Sequence, residues 1–399
     1  MVATLKSYTD AANHALPGTG YDGVVRVSTS EAYGTGALLY GGRAVLTAAH
    51  LLYGANARDV TVYFETEDEN RAVGASWITL YPDYDPFYSN GDLALVWLSG
   101  AAPAGAERYD VYRSMDEQGK QFTMAGYGAP GTGETGIDRQ YSGEPLRLKA
   151  TNRFDADAAS IEKALNGVNF WNPAAGTQFA ADFDNGQHRY DALGFLLDLA
   201  DTGTMSEGMV TSGDSGGPAF IDGRIAGVAS YIGIYDEHDY DAIPFNSSFG
   251  ELGFWQRAGY YQQWIDQSLR ERYPEAPEYR HEVERSVMEG DEGTTYAYFM
   301  LEFTGERSDP DEWLSVDYAT QDGTALAGED YVPVSGTLVL YPGEIQAVIP
   351  VEIIGDILPE QEEQFSLVVT NPVGGSFGEG VDELVAVRTI MDNDAQVWW

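Results

Sequence analysis

Short runs of β-branched and aromatic residues, broken by turn residues, recur along this chain and direct it towards an all-β fold. "DGVVRVST", "GALLY", "RAVLTAA", "DVTVYFE", "DLALVWL", "QFTMAGYG" and "IAGVASYIG" fall within residues 22–233. This spacing suits a barrel or a sandwich. "DAASIEKALNG" reads as a short helix, and the stretch at 181–204 is ambiguous. In "YYQQWIDQSLRERY", 260–273, Tyr261, Trp264, Ile265 and Leu269 recur at helical spacing, which predicts one amphipathic helix. "PEAPE", 274–278, carries two prolines and two glutamates and reads as a linker. Strands then return as "AYFMLEF", "LSVDYAT", "TLVLYP", "AVIPVEII", "FSLVVT" and "LVAVRTI", the pattern of a sandwich. The expected organisation is a first domain at 1–273, a linker at 274–282 and a second domain at 283–399.

Hydrophobic residues make up 43% of the 399, enough for packed cores. The 63 acidic and 22 basic residues give a net charge of −41, which disfavours nucleic acid as a partner. The acidity is uneven. Residues 283–399 hold 24 acids and 3 arginines, net −21, so they are about twice as acidic per residue as the first 282. A salt-adapted surface and gathered cation ligands are the competing explanations, and the asymmetry favours a local cause. Cysteine is absent, which excludes disulfides, thiolate metal sites and a cysteine nucleophile. No run approaches the roughly 18 apolar residues of a membrane span. "MVATLKSYTD" lacks the charged start and apolar core of a secretion signal. Either the protein is cytoplasmic or a signal has been removed.

Three chemically loaded positions stand in order. His50 ends "RAVLTAAH", Asp92 opens "DLALVWL", and Ser215 lies in "GDSGGP". A serine hydroxyl becomes a nucleophile when a base takes its proton, and the base needs a carboxylate to fix its tautomer. Glycines around the serine let backbone N–H groups surround a developing oxyanion, and Gly213 and Ser215 would supply them.

With "TAAH", "DLAL" and "GDSGGP" in this order, residues 20–270 resemble the trypsin/chymotrypsin family of serine endopeptidases. "AGYG", 125–128, "GVASY", 227–231, and "GELGFWQRAGYYQQWI", 250–265, resemble further strands and the terminal helix of that family. The resemblance implies two six-stranded β-barrels with the site between them. It implies Ser215 as nucleophile, His50 as general base and then acid, and Asp92 as its orienting partner. Ser230 matches the serine that hydrogen-bonds the catalytic aspartate, and residues 230–232 would pair with substrate backbone. Met209 and Val210 fall at the pocket floor, where an aspartate would select Lys or Arg. Gly253 and Ile232 fall at its walls. The expected preference is therefore for small or medium apolar side chains. In this family a newly formed N-terminus pairs with the aspartate before the serine, here Asp214. No Val-Gly-Gly start is found, and Lys6 followed by Ser7 is the one strongly basic position before Val24. Three readings of Asp214 stay open: a precursor cut elsewhere, a site assembled without that ion pair, or local hydrogen bonding.

"VMEGDEGTTYAYFMLEFTG", "VDYATQDGTALAGEDY", "SGTLVLYPGE", "IIGDILPEQEEQF" and "MDND" occur in the order of the Calx-β domain, an immunoglobulin-like sandwich. The resemblance covers about 283–394 and implies Ca²⁺ ligands at Glu289, Asp322, Asp356, Glu360, Glu363, Asp392 and Asp394. Calcium takes six to eight hard oxygens, and carboxylates crowded without a cation raise one another's pKa. Gly355 and Asn393 stand where further charge could have been, which implies fewer ions or weaker binding. "DFDNG", 182–186, also alternates Asp182, Asp184 and Asn185 before a glycine, although an ordinary turn is the simpler reading. The terminal "WW" suggests no role. The expectation is a secreted or cell-surface, calcium-binding serine endopeptidase acting on protein or peptide substrates. The alternative is a calcium-dependent adhesion or matrix protein whose first domain does not catalyse.

Overall fold

The structure is a computed structural model and describes residues 3–4, 8–165, 171–199, 207–235, 238–241 and 243–394. Lys6, Ser7, Asn166, Gly167 and the Trp398–Trp399 pair lie outside these. The chain divides into two compact units, 1–39 with 43–262, and 40–42 with 263–399.

In the first unit, β1 (Val24–Ser28), β2 (Tyr33–Leu38), β3 (Ala44–Thr47), β4 (Thr61–Glu65), β5 (Asn70–Leu80) and β6 (Ala94–Leu98) close into a barrel in the order β1-β2-β3-β6-β5-β4. Alternation explains the closure. Along β4, Val62 and Phe64 turn inward while their neighbours stay partly exposed. They meet Val25, Val27, Leu38 and Val96 in one core.

Seven strands carry the second half of this unit: β7 (Gln121–Gly126), β8 (Leu148–Arg153), β9 (Ala156–Asp157), β10 (Gln178–Asp182), β11 (Pro218–Ile221), β12 (Arg224–Gly233) and β13 (Leu252–Arg257). Their order is β8-β7-β11-β12-β13-β10-β9. Phe122, Phe154, Phe179 and Trp255 fill its core. The short four-residue helix α1 (Ala49–Leu52) follows β3. Helix α2 (Ala158–Ala164) forms where expected, its N-terminus capped by Asp157 accepting the Ala159 N–H. The ambiguous stretch contains α3 (Ala192–Leu197), capped by Asp191.

Arg147 is buried among acceptors. It pairs with Asp22 at 2.6 Å and donates to the carbonyls of Ala15 and Glu65 at 3.0 Å each. Removing it strands a buried carboxylate. Arg147→Ala is therefore expected to cost roughly 3–5 kcal/mol of unfolding free energy, measured by urea denaturation of the full chain.

Helix α4 (Gln262–Arg270) straddles the division, whereas the sequence reading ends the first domain after it. In the second unit Asp266 accepts the Tyr341 hydroxyl at 2.7 Å and Arg270 pairs with Glu344 at 2.8 Å. The sandwich has a five-stranded sheet: β14 (Ser286–Met288), β16 (Leu314–Asp322), β17 (Ser335–Leu340), β19 (Glu363–Val373) and β20 (Leu384–Met391). Their order is β14-β20-β19-β16-β17, and β15 (Thr294–Glu302) pairs with β18 (Gln346–Ile354) in the other sheet. Phe299, Leu340, Ile349, Val351 and Phe365 lie between the sheets. The pairings Thr294↔Ile354, Asp322↔Phe365 and Glu363↔Ile390 bring the acidic loops to one end. No helix among the described residues is long and apolar enough to cross a membrane.

Candidate active site

Strand β3 ends at Thr47, and the fully buried Ala48 and Ala49 let the chain turn tightly into α1, which presents His50. Asp92 is 1% exposed and accepts three donors: the His50 backbone N–H at 2.8 Å, His50 Nδ1 at 2.7 Å and the Ser230 hydroxyl at 2.5 Å. An ionised carboxylate only accepts, so Nδ1 carries the proton and Nε2 is left as an acceptor. Nε2 lies 2.8 Å from Ser215 Oγ. Burial disfavours the imidazolium, but the Asp92 hydrogen bond and charge outweigh it and raise the His50 pKa above its ordinary 6.5.

The loop holding Ser215 is built by its glycines. Gly213 has φ +100° and Gly216 has φ +83°, both in the left-handed region. A Cβ on Gly216 would come within 2.0 Å of Thr47 Oγ1. Thr35 anchors the loop, its N–H donating to Ser215 O and its Oγ1 to Gly213 O, both at 2.8 Å. Among the described residues, no acceptor takes the N–H of Gly213 or Ser215. Asp214 is 2% exposed and accepts the Gly128 N–H and the Thr211 N–H at 2.9 Å each. The Thr211 bond is of the local kind named in one of its three readings, whereas Gly128 lies 86 residues away along the chain.

Beside Ser215 lies a cavity of about 210 Å³ lined by Val210, Ala229, Ser230, Ile232 and Phe245, among others. Of the residues assigned to the specificity pocket, Val210, Ser230 and Ile232 line this cavity, and Phe245 lines it as well. Met209 and Gly253 do not. Met209 is fully buried in the core, and a Cβ on Gly253 would lie 3.1 Å from its sulfur. Met209 thus packs behind the pocket.

Among the described residues, two groups of carboxylates lie close enough together to share a cation. Asp182, Asp184 and Asp191, all buried, each offer one oxygen within 4.8 Å of the others, and so do Asp330, Glu360 and Glu363 in the second unit. In the first group, burial and the Asp155 charge push Asp182 well above the usual carboxylate range. Burial and Asp184 push the neighbouring Glu207 up to about 9. In the second, burial and Asp330 push Glu363 up to about 7, and burial with the Asp356, Glu360 and Asp392 charges pushes Glu289 to about 7. Asp356 N–H donates to Glu289 at 3.2 Å, and Asp392 accepts the N–H groups of Glu360 and Asp394 at 3.1 and 2.8 Å. The buried Asp394 Oδ2 has no partner among the described residues. All these donors are hard oxygens, as Ca²⁺ requires.

Residues 14–157 match the Trypsin family model and residues 276–394 match the model of the Calx-beta domain. The chain carries a trypsin-type domain followed by a Calx-beta domain. Human sodium/calcium exchanger 2 is 36% identical over 108 residues, which are 24% of this chain and 12% of the exchanger. The Drosophila melanogaster sodium/calcium exchanger Calx is 36% identical over 107 residues, 24% of this chain and 11% of that protein. The chain thus spans about a tenth of these relatives. Among solved structures, neuropsin, a serine protease of mouse brain, aligns with TM-score 0.47 and 17% identity over 65% of this chain and 99% of its own. An inactivated protease paralogue of the scabies mite aligns with TM-score 0.45 and 17% identity over 64% and 95%.

In the trypsin-type domain, the three motif residues come together with Ser230. Sequence reasoning missed Gln256, which is fully buried and donates to Ser89 O at 2.7 Å and to Ser230 Oγ at 3.3 Å. Its signal was a lone amide inside the apolar strand "LGFWQR". In the Calx-beta domain, Glu289, Asp356, Glu360, Glu363, Asp392 and Asp394 gather at one end. Asp322 is engaged within its own loop, accepting the Ala327 N–H at 2.9 Å and the Tyr331 hydroxyl. Asp330, overlooked within "GEDY", joins Glu360 and Glu363.

Proposed function

We propose that this chain is a secreted or cell-surface serine endopeptidase whose Calx-beta domain binds calcium. The observation that carries the reading is the hydrogen-bond chain from Asp92 through His50 to Ser215 beside two backbone N–H groups that no acceptor among the described residues takes. In this mechanism a substrate carbonyl carbon lies against Ser215 Oγ. His50 Nε2 takes the hydroxyl proton as the C–O bond forms, and Asp92 stabilises the resulting imidazolium. The N–H groups of Gly213 and Ser215 hold the oxyanion. The tetrahedral intermediate collapses as His50 returns its proton to the leaving amine. Water, deprotonated by the same imidazole, then hydrolyses the acyl-enzyme.

The pocket of about 210 Å³ carries no charged side chain, and its apolar part, Val210, Ala229, Ile232 and Phe245, favours a small or medium aliphatic residue before the scissile bond. Phe245→Ala opens one wall and is expected to move the preference towards aromatic side chains, raising kcat/KM for them about tenfold; a panel of chromogenic peptides reads this. Activity needs neutral His50. It should therefore rise with pH along a single-proton curve whose midpoint lies above 6.5, measured as kcat/KM against pH.

Calcium, when bound, supplies positive charge among the loop carboxylates. Glu289, Asp330, Asp356, Glu360, Glu363, Asp392 and Asp394 would hold it. Calcium-rich surroundings outside the cell suit such loops, and fractionation of producing cells tests that placement. The test of the whole reading is hydrolysis of a casein-type substrate with and without calcium. Activity lost in Ser215→Ala supports it. Calcium-dependent adhesion with no hydrolysis favours the non-catalytic alternative.

A further inference from the structure

The open edge of β20 lies next to an apolar cleft, at the end of the sandwich away from the acidic loops. Strand β14 pairs with β20 only from Ser286↔Thr389 to Met288↔Met391. Upstream the chain leaves the edge and winds into a short turn at Arg280–Glu282. The direction of the uncovered groups follows from the ladder. Thr389 N–H donates outward to Arg285 O at 2.9 Å, and residues two apart point the same way, so the N–H groups of Val387 and Val385 also face outward. No strand among the described residues takes them. The pairing of this edge with β19 runs without a bulge from Glu363↔Ile390 to Val369↔Leu384, and the one inward charge on it, Arg388, covers the Val387 carbonyl but leaves the outward N–H groups open. Leu384, Val385 and Val387 are 39%, 55% and 49% exposed.

Leu384 also lines a cleft of about 780 Å³ between the sheets, with Leu301, Phe303, Leu314, Leu340 and Phe377. Its rim is acidic. Glu302 and Glu306 line it, and Glu379, Asp382 and Glu383 lie in the exposed chain leading into β20. Of the cations nearby, Arg280 lies 3.8 Å from Glu302, Arg307 donates to the carbonyls of Tyr341 and Glu344, Arg388 is bonded to Tyr298 O, and Arg285 is exposed where the chain joins the edge, so the five acids outnumber the one outward cation.

We propose that this edge takes up an extended, aliphatic peptide segment bearing Lys or Arg, supplied by another protein. The outward N–H groups would bond its backbone as an added strand, alternate aliphatic side chains would enter the cleft, and its cations would meet the acidic rim. Charge argues against a second copy of this chain, because residues 283–399 carry net −21 and two such edges repel.

The test uses the full chain with Ser215→Ala, so that no probe is cleaved, in excess calcium. A fluorescein-labelled peptide Lys-Val-Thr-Val-Thr-Val-Lys is titrated by anisotropy against the same peptide with Glu at both ends. The lysine peptide is expected to bind saturably and to weaken with salt, and the glutamate peptide not to bind. Val385→Pro deletes one outward N–H and is tolerated where that group faces solvent; it should weaken binding roughly tenfold. Asp382→Lys with Glu383→Lys, both exposed, should weaken it without touching the ladder. Absence of binding, equal binding of both peptides, indifference to Val385→Pro and to the lysine pair, or dimerisation through this edge in sedimentation would each overturn the proposal. Hydrolysis by the unsubstituted chain is read separately, so the two readings fail independently.

Discussion

Asp92→Asn is expected to lower kcat for peptide hydrolysis about 10⁴-fold while the protein stays folded. The amide nearly matches the carboxylate in shape: with its oxygen at the Oδ1 position the His50 backbone N–H keeps its acceptor, while the Ser230 hydroxyl, which shares Oδ2 with Nδ1, would turn to accept from the amide. What changes is the proton on His50. An amide N–H facing Nδ1 forces the imidazole into the other tautomer, with the proton on Nε2. Nε2, 2.8 Å from Ser215 Oγ, then donates where it should accept. The defect should ease at alkaline pH, where hydroxide can replace the base. Ser230→Ala removes one of three donors to Asp92, so its loss should be much smaller. Steady-state kinetics, with circular dichroism to confirm folding, separates the two. A loss below tenfold in Asp92→Asn would mean that Asp92 does not orient His50.

Chelation is expected to lower the melting transition of the Calx-beta domain by roughly 10 °C. A cation that binds only the folded state at 100 times its Kd stabilises by about 2.7 kcal/mol. For a domain of this size that corresponds to a shift of this order. The pH response should reverse with it. In chelator, Glu289 and Glu363 have folded pKa values near 7, raised first by burial and then by neighbouring carboxylates. A raised carboxyl favours the protonated form in the fold. Its contribution is therefore present at low pH and lost as pH rises from about 4.5 through 7. The apo domain should melt higher at pH 5 than at pH 8. With calcium the order inverts, because the ligands must be ionised. Calorimetry in EGTA and in calcium at both pH values checks this, and identical scans would count against cation binding.

Much of this was legible in the sequence because it is local. Alternating apolar residues marked the strands, and "TAAH", "DLAL" and "GDSGGP" each carry one functional side chain in a short backbone setting. What escaped depends on neighbours far along the chain. The pocket floor turned on a few residues of register: β12 has an irregularity between Ala229 and Tyr231, and the core below Gly253 claims Met209. Phe245 enters from a loop with no motif, at φ +58°. In the Calx-beta domain the resemblance points to Asp322, but the fold turns Asp322 to the Ala327 N–H and the Tyr331 hydroxyl of its own loop and sets Asp330 beside Glu360 and Glu363. For Asp214 a local hydrogen bond was among the readings, but the Gly128 donor, 86 residues away, depends on the fold.

The central claim is that His50 makes Ser215 a nucleophile. A fluorophosphonate reagent tests it most directly, with the adduct located by mass spectrometry of peptides. The account predicts stoichiometric phosphonylation of Ser215, abolished in His50→Ala and in Ser215→Ala. An unlabelled Ser215 in folded, calcium-loaded protein, or labelling as fast in His50→Ala as in the unsubstituted chain, would contradict it.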